Sequence, residues 1–112
     1  MKHLDPLTQQ ATRQFAAKVE SGYHPVGLVL FGSRARGEHR PDSDADVAVL
    51  LHGRRSNSLQ VSLALSDAAY DILLDTGVNI NPIPLWLDEW ENPELHPNPA
   101  LVKNIAREGV SL

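Results

Sequence analysis

Apolar residues recur every fourth position near the start of the chain and then gather into short runs rich in β-branched side chains, so helices and strands are expected to alternate. Leu7, Ala11, Phe15 and Val19 make the buried stripe of a first helix. Asp5 caps it, Pro6 sits in its first turn, and Gly22 closes it. Val26 to Phe31 reads as a buried strand. Ser33 caps a short helix running through Gly37, and a polar loop leads to a second strand that opens with Asp44 and Asp46 and ends near Leu51. After the polar loop from His52 to Asn57, Ser58 caps a long helix from Leu59 to Thr76. Leu65, Ala68, Ala69, Ile72 and Leu73 face its core side, and Gly77 stops it. A third strand begins at Val78, and Pro82 and Pro84 place its later half on a sheet edge. Asp88 to Asn92 forms a helical turn. The last helix runs from Asn98-Pro99 through Glu108, ends at Gly109, and turns Leu101, Val102 and Ile105 inward. The order α-β-α-β-α-β-α fits an α/β (α+β) fold, a small mixed sheet flanked by helices, with residues 1–112 as one domain.

The chemistry concentrates where the first strand ends and the second begins. Gly32 lets the backbone turn where a Cβ would crowd it. The helix start that follows offers free N–H groups and a partial positive charge to a phosphate, and the Ser33 hydroxyl adds a hydrogen bond. Arg34 and Arg36 add positive charge nearby. Asp44 and Asp46 lie two residues apart on a strand, so both carboxylates face one way, about 6.5 Å apart along the chain. At about 5 Å and an effective dielectric of about 20 their repulsion is roughly 3 kcal/mol. A divalent cation converts that repulsion into attraction, and one or two carboxylates plus substrate phosphates are an ordinary Mg²⁺ environment. Each half of this arrangement is common alone, the first as a turn and the second as a solvated strand end. Joined at a fixed gap between two strands, they point to phosphoryl or nucleotidyl transfer.

Gly32-Ser33, ten intervening residues and Asp44-Ala45-Asp46 resemble the signature of the DNA polymerase beta-type nucleotidyltransferase superfamily. The short chain is most similar to the minimal nucleotidyltransferases, the antitoxin half of pairs whose toxin is a HEPN ribonuclease. The resemblance implies that Gly32 and Ser33 hold a nucleotide triphosphate, that Asp44 and Asp46 are catalytic and bind Mg²⁺, two ions in the active state, and that Arg36 and Ser43 also serve the nucleotide. Active relatives carry a third acid on the next strand, where this chain holds Asn79 and Asn81. An amide is a poorer metal ligand than a carboxylate and a negligible base. Asp71 and Asp75, four apart, read as an exposed helix edge.

Three functions follow from the resemblance. In the first, AMP passes from ATP to a tyrosine of the toxin partner. In the second, a catalytically weak or inactive fold neutralises that partner by occlusion, as a hetero-oligomer. The third is antibiotic modification, which usually requires an added acceptor-holding domain for which the remaining residues leave no room.

Composition narrows the remaining choices. Ten basic against 14 acidic residues give a net charge of −4, which argues against broad nucleic-acid binding, although Arg34, Arg36 and Arg40 could serve one nucleotide. Absence of cysteine removes thiol chemistry and disulfides. No signal-peptide core opens the chain and no apolar run approaches a membrane span of about 20 residues, so a cytoplasmic protein without membrane attachment is expected. His3, His24, His52 and His96 lack metal-ligand spacing, and His39 reads as an exposed loop residue that could touch a nucleotide. Arg54-Arg55 reads as an exposed loop. Trp86 and Trp90 close one end of the sheet or form a partner surface, and the stiff segment from Pro93 to Pro99 could serve an interface too.

Overall fold

The computed structural model describes residues 4–112, so His3 lies outside the described residues. Helix α1 spans Pro6–Tyr23, followed by strand β1 at Gly27–Phe31, the single turn α2 at Ser33–Arg36 and strand β2 at Ala45–Leu51. Helix α3 at Ser58–Thr76 leads to strand β3 at Ile80–Trp86 and helix α4 at Leu87–Glu91. A 3-10 turn at Pro93–Leu95, helix α5 at Pro99–Glu108 and strand β4 at Val110–Ser111 complete the chain. The sheet order is β3-β2-β1-β4. β1 runs antiparallel to β2 and β4, whereas β2 and β3 are parallel, joined by the α3 crossover. This is the mixed sheet flanked by helices expected from the sequence, extended by β4. β4 has only two residues, too few for periodicity to mark, and is defined by its pairing with Val29 and Leu30.

Side chains alternate across the sheet and build two cores. On one face Leu28, Leu30, Val47, Val49 and Ile80 meet Phe15 and Val19 of α1 and Leu65 and Ile72 of α3. On the other, Val29, Phe31, Ala48, Leu50 and Leu85 meet Val102 and Ile105 of α5. β3 is an edge strand, which its two prolines tolerate because no ladder bond is lost on the open side. Trp86 belongs to the first core and is 2% exposed, whereas the half-buried Trp90 packs on the second, so the two rings do not form one patch.

Several boundaries differ from the sequence reading. The buried row of α1 starts at Thr8, not Leu7, which is exposed. α1 passes Gly22 and stops at His24 in the left-handed region, because Pro25 cannot continue the helix. β1 starts at Gly27; Val26 just before it is exposed, though its N–H donates to Leu50 O at 2.8 Å. Asn57, not Ser58, precedes α3, in the left-handed conformation that asparagine tolerates. Val78 is buried, but strand pairing begins only at Ile80. Arg54 and Arg55 lie exposed in the loop as expected, but Arg55 also pairs with buried Glu89 at 3.0 Å and lies over the Trp86 ring, 4.7 Å from its centroid.

Asp5 caps α1 as expected, accepting from Thr8 N–H at 2.7 Å. Burial acts to raise its pKa, but the Thr8 hydrogen bonds and the neighbouring His39 outweigh it and hold the carboxyl below its ordinary 3.8. A depressed folded pKa gives stability that is present above the unfolded value and lost as pH falls through the folded one. Asp5→Ala is therefore expected to cost about 1 kcal/mol at neutral pH. Urea unfolding should show that difference shrink below the ordinary aspartate pKa; a difference independent of pH would remove the cap charge from the account. Among the described residues, no helix is long and apolar enough to cross a membrane.

Candidate active site

Strand register gathers the site at one end of the sheet. Asp46 on β2 is level with Phe31 on β1 and with Asn81 on β3. Asn81 Nδ2 donates to Asp46 Oδ1 at 3.0 Å, and one step further out Asn79 Nδ2 donates to Asp44 Oδ1 at 3.1 Å. Each carboxylate thus has its own amide, in two rungs across the β2–β3 pair. Asp44, Asn79 and Asn81 are exposed and Asp46 is half-buried.

Gly32 adopts φ 77° and ψ −159°, a region open to glycine alone. A Cβ there would collide with Asp46 Oδ2, so the turn and the acid are packed backbone against carboxylate. Ser33 is the first residue of α2, not its cap as the sequence suggested; Gly32 holds the cap position without a side-chain bond. Ala35 and Arg36 N–H both donate to Gly32 O at 3.1 Å. The N–H groups of Ser33 and Arg34 begin the helix and have no partner within it. With only one turn behind them, their directed hydrogen bonds outweigh any macrodipole as a source of phosphate attraction. Gly32→Ala is expected to cost about 2 kcal/mol through the disallowed backbone conformation and to displace the Asp46 carboxylate. If the turn holds a Mg²⁺-bound nucleotide, as the sequence resemblance implies, calorimetry should then show that binding weakened at least about tenfold, equivalent to ~1.4 kcal/mol; unchanged binding would separate Gly32 from the site.

The arginines divide into separate roles. Arg34, 3% exposed, turns away from the open site: Nη1 donates to Thr8 Oγ1 at 2.7 Å, Nε to Ser43 O at 3.0 Å and Nη2 to Pro41 O at 3.1 Å. It fastens the loop that delivers Asp44 to α1, a positioning role that sequence reasoning missed because its partners are backbone carbonyls and a hydroxyl 26 residues away. Arg36 is held by Glu38 at 3.4 Å and by Glu108 of α5 at 3.1 Å. The Ser43 hydroxyl accepts from Arg40 N–H at 2.9 Å, closing the same loop. His39 is half-buried and paired with Asp5 rather than exposed. Asp71 pairs with Lys18 of α1 at 3.1 Å, and Asp75 is exposed one turn further along α3.

Two carboxylates with amide neighbours form a hard oxygen donor set, which suits Mg²⁺ completed by phosphate oxygens. Among the described residues no group of three or more His, Cys, Asp or Glu gathers as a metal site; the carboxylates bonded by the Asn79 and Asn81 amides at this end of the sheet are Asp44 and Asp46.

A family model described as a nucleotidyltransferase domain matches residues 12–110. No curated protein matches the chain. Among solved structures, the fold is similar to a provisionally named nucleotidyltransferase from Sulfolobus solfataricus determined at 1.40 Å, with a TM-score of 0.59 and 18% identity over 99% of this chain and 89% of that one.

Proposed function

The chain belongs to the nucleotidyltransferase domain family, and on that premise we propose that it transfers AMP from ATP to a hydroxyl of a protein partner, a HEPN-type toxin that it silences as an antitoxin. The observation that carries the reading is the packing of the Asp46 carboxylate against the Gly32 turn, with Asp44 on the adjacent rung. Ser33 and its turn hold the triphosphate through N–H groups and a hydroxyl, and Asp44 and Asp46 hold the metal side of that phosphate. Bound Mg²⁺ supplies charge neutralisation and lowers the barrier at the attacking and leaving oxygens. The acceptor oxygen bonds to the α-phosphorus, the bond from that phosphorus to the bridging oxygen breaks, and pyrophosphate leaves. The hydroxyl proton passes to solvent, because the Asn79 and Asn81 amides cannot take it.

A second reading is favoured by those same amides. With Asn81 standing level with Asp46, where active relatives would carry an acid, the fold could neutralise its partner by binding alone.

Intact-mass measurement of the partner incubated with this protein, ATP and Mg²⁺ tests the choice. AMP-sized increments on the partner are expected. Asn81→Asp should raise the rate by about 10-fold or more, because a further carboxylate can assist proton removal. A stable complex without any increment, in the wild type and in Asn81→Asp, would replace transfer by occlusion.

A further inference from the structure

The outer face of α3 carries a seam of large apolar side chains that none of the described residues covers. Leu59, Leu63, Tyr70 and Leu74 are 72%, 58%, 59% and 68% exposed. At 3.6 residues per turn they fall within about 60° of one another, opposite the side where Val61, Leu65, Ala69 and Ile72 enter the core. Scattered surface leucines are ordinary, but four large exposed residues aligned on one face of a helix of about 28 Å, as the pairs Leu59–Leu63 and Tyr70–Leu74, mark an interaction site. Their exposed area is on the order of 400–500 Å², roughly half of the ~800 Å² that each partner contributes to a stable complex.

The seam does not end on neutral ground. Tyr70 and Ser66 share a groove with Asn79 and Asn81 around the open edge of β3, so a partner lying on α3 extends onto the amides that hold Asp44 and Asp46. Along the opposite flank run Asp67, Asp71 and Asp75, all exposed, at four-residue spacing; Asp71 is paired with Lys18 of α1, which leaves Asp67 and Asp75 to set the charge of this flank. A second copy meeting this face by an antiparallel twofold would set that acidic row against its own equivalent. A basic flank is the complementary choice.

We propose that α3 docks an amphipathic helix of the acceptor protein, with an apolar stripe on the Leu59–Leu74 seam and lysines or arginines beside the Asp67–Asp75 row, placing the acceptor hydroxyl at the Asn79–Asn81 edge. This rests on the reading of the chain as a protein-modifying transferase. α3 and the open edge of β3 form a two-sided seat for such a helix.

Two synthetic helical peptides with the same leucine stripe, one flanked by lysines and the other by glutamates, test the docking by fluorescence anisotropy and by amide chemical shifts. The basic peptide should bind at least about 10-fold tighter and shift α3 together with Asn79 and Asn81. Leu59→Ser with Leu74→Ser should lose that binding while leaving Mg²⁺-dependent ATP binding unchanged. Equal binding of both peptides, or none, with ATP binding intact would overturn the docking proposal and leave the transferase reading standing. A dimer in sedimentation that Leu59→Ser with Leu74→Ser dissolves would overturn it in favour of a second copy. Selective docking of the basic peptide without any ATP binding would overturn the transferase reading, and the acceptor's role with it, while α3 kept its docking surface.

Discussion

Asp46→Ala is expected to lower AMP transfer at least about 10³-fold, some 4 kcal/mol of transition-state stabilisation, while leaving the fold intact. Asp46 is half-buried, and the amide it accepts from belongs to exposed Asn81, so its removal leaves Asn81 free to bond water instead of stranding a buried donor. Loss of one carboxylate from a pair also relieves repulsion, so thermal unfolding should stay within about 0.5 kcal/mol of the wild type. Asp46→Asn keeps the shape and removes only the charge, and should fail almost as completely. Transfer read by intact mass, with unfolding followed on the same samples, checks both halves. Transfer by Asp46→Asn within a few-fold of wild type would show that charge at this position is not what the reaction uses.

At the far end of β2 and β3, Arg55→Ala should destabilise the protein by about 3 kcal/mol, lowering Tm by roughly 10–20 °C. Glu89 is 3% exposed. Its Oε2 accepts from Arg55 Nε at 3.0 Å, and its Oε1 accepts from Arg55 Nη2 at 3.1 Å and from Trp86 N–H at 3.2 Å. Truncating Arg55 strands that carboxylate in a site where water reaches it poorly and removes the guanidinium from the Trp86 ring. Glu89→Gln in the Arg55→Ala background should recover part of the loss, because it removes the unpaired charge while its amide oxygen can still accept from Trp86 N–H. Chemical unfolding of the single and double variants measures the coupling. An Arg55→Ala variant as stable as wild type would mean that the pair contributes nothing measurable.

The two regions differ in how visible they were before folding. Gly32, Ser33, Asp44 and Asp46 stand out because two local devices lie at a fixed gap between two apolar runs. Arg34 sits in the middle of the same stretch and reads there as one more phosphate-directed cation. Its burial against Thr8 depends on α1 crossing the loop. Arg55 and Glu89 are 34 residues apart and carry no local pattern at all. The outer seam of α3 reads from periodicity as extra apolar positions on an already apolar helix, and only the packing separates the covered side from the bare one.

The sequence by itself determined the succession of the helices and of strands β1 to β3, the edge position of the proline-bearing strand, and the proximity of a glycine turn to a pair of acids. These follow from spacing and backbone preference over a few residues, where covalent connection leaves little choice. Only the tertiary structure decided that Asn81 stands level with Asp46, that Arg34 ties down the loop before Asp44, that Trp86 and Trp90 face different cores, and that α3 is bare on one side. Those outcomes depend on strand register and on which helix packs where, and they are set by burial summed over the whole sheet rather than by any one segment.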